Sequence, residues 1–306
     1  MSQAIRYTTY GDADVLQLTE VPLPGPGSGQ VRIVVKAVGV NALDWKIRKG
    51  FLSEGKPLPG PAGTGIELAG VIDAVGNKVT RWQVGQAVFG RSATGGAAAT
   101  HDLADADEIF GKPEWLSFEQ AAALPVAVET AYRTLHELGV REGQTLLVHA
   151  AAGGVGLIAT QLARAWGATV IGTASETNHA FLREIGAIPV TYGEGLTDRV
   201  RSAAPQGIDA VLDGSGRGVL PDSIALTGDP EKILTIADPT AAEHGIRFSG
   251  RPGPTGPALE AVLSLIEQGK IQMPIDSLYP LQKAADAHRH SENGHLQGKI
   301  VLSIEP

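Results

Sequence analysis

One run of residues has the spacing of an anion cradle. Val148-His-Ala-Ala-Ala-Gly-Gly-Val-Gly156 places Gly153, Gly154 and Gly156 between a strand-like stretch, 145–150, and a helix-like one, 155–166. In that order the backbone amides and the positive end of the helix dipole face a phosphate. Gly153 and Gly154 let the backbone approach a pyrophosphate, and Gly156 lets the helix pack closely on the strand. The turn therefore reads as a dinucleotide site in which Ala152, Gly153, Gly154 and Val155 line the pyrophosphate, with Ala151 in place of the first glycine of the usual pattern.

The adenosine end of such a ligand is read at the tip of the next strand, about twenty residues on. There the chain has Gly172-Thr-Ala-Ser-Glu-Thr-Asn178, so Thr173, Ser175 and Asn178 are the candidate contacts. A hydroxyl-rich tip favours NADPH. Glu176 is the carboxylate that would argue for NADH, and no lysine or arginine follows until Arg183. Tyr192, ending a later strand, either stacks near the adenine or belongs to the core.

The elements that must position these residues fall into two halves. Up to about residue 123 the pattern is short strands broken by turns, as at 31–38, 69–75 and 87–89, and Pro22-Leu-Pro-Gly-Pro-Gly-Ser-Gly29 can only be a surface loop. From about residue 124 strand and helix alternate: strands at 145–150, 169–174, 188–192, 209–213 and 232–237, with helices at 155–166, 180–185, 196–203 and 220–226. That rhythm implies a parallel sheet with helices on both faces. The tail reads as a helix at 258–267, a turn, a helix near 282–290 and a strand at 299–304, and is expected to rejoin the first half. The fold class is α/β, with residues 1–123 and 266–306 forming a β-rich domain and 124–265 a doubly wound dinucleotide-binding domain.

Composition narrows the function classes. With 33 acidic and 25 basic side chains the net charge is −8 and no basic cluster stands out, which argues against nucleic acid. No apolar run reaches the length of a membrane span, and the first residues carry neither a basic n-region nor an apolar h-region, so a cytoplasmic protein is expected. The chain has no cysteine, hence no disulfide and no thiolate for a metal or a nucleophile. His288 and His290, two apart on a helix, face different directions and read as solvated surface histidines, so no metal site is expected.

Taken with the turn, several runs in order resemble the zinc-free quinone oxidoreductase branch of the medium-chain dehydrogenase/reductase superfamily. They are Val38-Gly-Val-Asn-Ala-Leu-Asp-Trp-Lys-Ile-Arg48, Glu67-Leu-Ala-Gly-Val-Ile-Asp-Ala-Val-Gly76, Val84-Gly-Gln-Ala-Val-Phe-Gly90, Ala121-Ala-Ala-Leu-Pro125 and Gly298-Lys-Ile-Val-Leu302. The resemblance implies a GroES-like catalytic domain with a Rossmann domain, the nicotinamide in the cleft between them, and hydride transfer from NADPH to a quinone or an activated carbon–carbon double bond. It puts Asn41, Asp44 and Lys46 at the reacting end. Lys46 is read either as donor to a developing enolate oxygen or as the partner of Asp44 that holds a loop. It also makes Thr130 a cofactor contact and gives Ile236 and the following loop from Ala237 a place over the nicotinamide. Glu129, in the same stretch as Thr130, reads either as a helix-surface charge, the favoured reading, or as a polar group near the substrate mouth.

The same resemblance implies a homodimer paired through the edge of the Rossmann sheet. A strand near 245–249 would form that edge, shortened by Gly250-Arg-Pro-Gly-Pro-Thr-Gly-Pro257. Substrate contacts are expected from 51–61 and 93–98. Two other readings share the fold. One is an enoyl reductase acting on a larger thioester or polyketide-like substrate, and the other is a non-catalytic NADPH-binding protein.

Overall fold

Along Gln30–Val40 alternate side chains are buried from Val31 to Ala37, the two-residue period of a strand with one face on a core. A computed structural model describes residues 1–305. Strands and helices are numbered in chain order. The N-terminal part contains β1 (Ser2–Arg6), β2 (Gln17–Val21), β3 (Gln30–Val40), α1 (Ala42–Arg48), β4 (Glu67–Val75), β5 (Ala87–Arg91), β6 (His101–Asp105), β7 (Ile109–Gly111) and α2 (Phe118–Ala122). Then come α3 (Pro125–Glu137), β8 (Thr145–His149), α4 (Gly154–Ala165), β9 (Thr169–Ala174), α5 (His179–Glu184), β10 (Ile188–Thr191) and α6 (Leu196–Ala203). The remainder is β11 (Ala210–Asp213), α7 (Leu220–Thr227), β12 (Ile233–Thr235), β13 (Arg247–Phe248), α8 (Thr255–Glu267), β14 (Ile275–Pro280), α9 (Ala284–Asn293) and β15 (Lys299–Ser303).

These elements divide into two units, Met1–Val126 with the tail from Pro274, and Ala127–Met273. In the first, β14-β15-β3-β4-β5-β7 form one sheet, with β6 also paired to β3, around a core that includes Ile33, Leu68, Ile72, Val88 and Ile300. The tail enters this sheet by β15 running antiparallel to β3, Ile300 opposite Val40. Where the sequence reading had only a turn, β14 lies parallel to β15.

The second unit is a six-stranded parallel sheet in the order β10-β9-β8-β11-β12-β13. All five residues of β8 are buried, as a central strand covered on both faces requires. The chain runs outward from β8 through β9 and β10, then returns to the other side through β11. That reversal creates a switch point between β8 and β11, where ligands of such sheets bind beyond the strand ends. The edge strand β13 has only two residues, because Gly250, Pro252 and Pro254 follow at once and proline cannot donate to a ladder. No helix among the described residues is long and apolar enough to cross a membrane.

Candidate active site

At the switch point β8 ends on His149, and Ala150 turns the chain with a left-handed φ of 59°. Gly153 caps α4 in extended conformation and has no side chain to offer, so the amides of the first helical turn keep no intrahelical acceptor. Gly153, Gly154 and Val155 are half-buried. A Cβ on Gly156 would lie 2.3 Å from the Ala150 carbonyl oxygen, so only glycine lets α4 start this close to the strand. The result is a row of uncommitted N–H groups at a helix N-terminus, the arrangement that binds a pyrophosphate.

The other candidate cofactor residues divide. Ser175 follows β9, partly exposed, with its hydroxyl 2.8 Å from that of Thr177. Thr173 turns inward instead: it is buried, and its Oγ1 lies 3.3 Å from both His149 Nδ1 and the Ala150 amide. Asn178 is also buried. Tyr192 directly follows β10 and is 44% exposed, which removes the core alternative. Ile236 and Ala237 follow β12, their amides donating to the Asp213 carbonyl at 3.0 Å and to Thr235 Oγ1 at 3.1 Å. Asp213, ending β11, accepts from the Ser215 amide, the Ser215 hydroxyl and Thr235 Oγ1 at 2.7–2.8 Å, which fixes that loop. Parallel strands bring the turn, Ser175, Tyr192 and residues 236–237 to the carboxyl ends of the strands, on one side of the sheet.

Thr130 lies on α3 with its hydroxyl 3.4 Å from Glu129 Oε2. Glu129 corrects the sequence reading, since it is 2% exposed and no surface charge. Its Oε1 accepts from Arg133 Nε at 2.7 Å and from the Gly253 amide at 2.8 Å, partners one helical turn and more than a hundred residues away.

In the first unit the candidate catalytic segment is a helix and no loop. Asn41 is the N-cap of α1 and Asp44 its third residue, and the Asn41 amide donates to Asp44 Oδ2 at 2.7 Å. Positions two apart on a helix face different ways, so Asp44 and Lys46 do not hold a loop between them. Asn41 and Asp44 form a capping box at the helix start, and the Asn41 side chain also reaches past the helix. Its Nδ2 donates to Glu67 Oε1 at 2.8 Å, while its Oδ1 accepts from Lys299 Nζ at 2.6 Å. Lys299 Nζ also lies 2.6 Å from Glu67 Oε1, and Glu67 Oε2 accepts from the Val126 amide at the start of α3. Both charges are buried, Glu67 completely and Lys299 to 4% exposure, so the pair is held out of water by its hydrogen bonds to Asn41 and the Val126 amide. Gly39 makes the room, since a Cβ there would lie 2.3 Å from Glu67 Oε1.

Asp44 is buried beside this cluster. Burial, first of all, pushes its carboxyl up to about 7, against the Asn41 amide and Lys299, which favour the charged form, and with Glu67, which does not. The Gly65 amide leans the same way as Asn41 without making a full hydrogen bond, so Asp44 Oδ1 has no partner. Lys46 is partly exposed, its ammonium 5.8 Å from the Trp45 ring centroid. Neither Glu67 nor Lys299 was singled out by the sequence reading. The signal was present: β4 and β15 open on charges of opposite sign, each followed directly by apolar residues. His288 is likewise no surface residue, since it is 1% exposed with Nε2 3.4 Å from Thr64 Oγ1, and burial pushes it down to about 3.

Residues 27–125 match the family described as alcohol dehydrogenase GroES-like domain, and residues 185–302 the one described as zinc-binding dehydrogenase. The quinone oxidoreductase of Mus musculus is 34% identical over 99% of this chain and 98% of its own length. The chain belongs to the quinone oxidoreductases of the medium-chain dehydrogenase/reductase superfamily. Among solved structures, the quinone oxidoreductase from Coxiella burnetii superposes with a TM-score of 0.88 at 31% identity, covering 99% of both chains. That of Escherichia coli, complexed with NADPH, gives 0.87 at 29% identity over 98% of this chain and 99% of that one. The CurK enoyl reductase gives 0.87 at 27% identity over 99% of each. Within the family, zinc does not suit the residues found here. The Lys299 ammonium already occupies Asn41 Oδ1 and Glu67 Oε1, and among the described residues no group of three or more His, Cys, Asp or Glu could hold a metal ion.

Proposed function

We propose that this protein is an NADPH-dependent reductase that delivers hydride to a quinone or an α,β-unsaturated carbonyl without a metal. The observation that carries the reading is the glycine turn after β8, whose free amides stand at the switch point of a parallel sheet. NADPH, when bound, supplies the hydride. The amides of Gly154 and Val155 hold its pyrophosphate, Ser175 with Thr177 meets the ribose end, and the exposed ring of Tyr192 offers the adenine a face. The NADPH bound by the Escherichia coli relative supports this choice of nucleotide.

At the reacting end the work of α1 is divided. Asn41 and Asp44 fix the start of the helix, Asn41 through the Glu67–Lys299 pair and Asp44 through the Asn41 amide. Lys46, the partly exposed cation of that helix, donates to the oxygen on which negative charge develops. The similarity to the CurK enoyl reductase favours a second reading in which the same groups act on a larger enoyl substrate. Reduction of an enone with NADPH deuterated at the transferring C4 position is the test: direct transfer puts deuterium on the product β-carbon, whereas a reduced product without deuterium there overturns the proposal.

A further inference from the structure

Thr173 has the position of a ribose contact but is buried, and the groups around it form a directed chain. Ser223 Oγ donates to the Val219 carbonyl at 2.8 Å, so toward His149 it can only accept. His149 Nε2, 3.1 Å away, must then carry the proton, which leaves a lone pair on Nδ1. The Thr173 hydroxyl donates to that lone pair at 3.3 Å and, with its own oxygen, accepts from the Ala150 amide at 3.3 Å. The Thr173 carbonyl accepts from the next amide, Ala151, at 3.0 Å. One residue of β9 thus holds two successive amides of the turn, including that of Ala150 with its left-handed φ.

The surroundings keep the chain running in this direction. His149, Thr173 and Ser223 are each 2% exposed or less. The charged groups that bear on His149 are Asp213 at the end of β11 and Asp222 on α7. Both favour a protonated ring, but burial outweighs them and the imidazole stays neutral near pH 7. A protonated ring would put a donor on Nδ1 and leave the Thr173 hydroxyl proton with no acceptor.

The geometry points to the His149–Thr173–Ser223 chain as the positioning device of the pyrophosphate turn: Thr173 acts on the nucleotide through Ala150 and not by touching it. This rests on the dinucleotide reading above. Nucleotide titration and amide exchange test the two separately. Thr173→Val should raise the NADPH dissociation constant and KM about tenfold or more while kcat at saturating NADPH stays within twofold, and Thr173→Ser should restore both. Ser223→Ala, which leaves β9 untouched, should speed hydrogen exchange of the Ala150 amide at least tenfold without ligand. A role in core packing alone would lower the melting temperature and leave affinity and Ala150 exchange as in the parent, and that result overturns the inference. Should Thr173→Val fail to fold, Thr173→Ser and Ser223→Ala decide by exchange. A parent protein that binds neither NADPH nor NADH refutes the function proposed above, while Ala150 exchange still decides the positioning role.

Discussion

Lys299 and Glu67 make the strictest demand of any two side chains in the first unit, because each is buried and each answers the other's charge. Lys299→Met removes the ammonium, leaves a carboxylate out of water and releases Asn41 Oδ1. The expected loss of stability is about 3–5 kcal/mol. Adding Glu67→Gln should recover most of it, since an uncharged pair has no such debt. Urea unfolding of the two variants checks this, and a double variant no better than the single would contradict it. At this scale the sequence showed where polar groups gather but not which way they turn. The family resemblance singles out Asn41 and Asp44 and reads them as part of a loop, although their spacing of three is that of a helix start. That Asn41 spends its side chain on Glu67 and Lys299 depends on a strand more than 250 residues away, which no local pattern records.

The β8–turn–α4 element is the most legible part of the chain, because its constraint is local: a buried apolar strand, glycines where the backbone must come close, and a helix. Gly156→Ala sets a methyl against a backbone carbonyl that no rotamer change can move aside. A cost of about 1–3 kcal/mol is expected as the turn or α4 shifts, together with at least a tenfold loss of NADPH affinity. Thermal melts and fluorescence titration read both, and a variant with parent-like affinity would separate the turn from the ligand. Elsewhere the elements escaped for identifiable reasons. β14 carries Asp276 and Ser277 and a register shift between Ile275 and Ser277, so its alternation is broken. α1 is only seven residues long. Glu129 sits on a helix, where a carboxylate usually meets water, but Arg133 and the Gly253 amide enclose it.

Across the whole molecule two buried histidines work against the folded state in acid. Burial holds His149 down to about 4 and His288 down to about 3, below the ordinary value of 6.5. The unfolded chain therefore binds protons first. Their contribution to stability is complete above pH 6.5 and falls as the pH drops from there toward 4, by on the order of 2–3 kcal/mol per histidine, while Asp44, pushed up to about 7, contributes with the opposite sign over the same window. His288→Leu removes one contribution, and because Nδ1 has no partner it sacrifices little bonding. Urea midpoints at pH 7 and pH 4 should therefore differ less for this variant than for the parent, and equal slopes would contradict the assignment. Fold class was legible at this scale because strand–helix alternation and the glycine turn agree, whereas the substrate is set by loops whose side chains follow no period. Hydride transfer from NADPH is tested most directly by following nicotinamide absorbance while the protein is offered a panel of quinones and enones, with NADPH and with NADH. Substrate-dependent consumption of NADPH, exceeding that of NADH, is the expected result. Tight NADPH binding with no consumption across the panel, or a large preference for NADH, would contradict it.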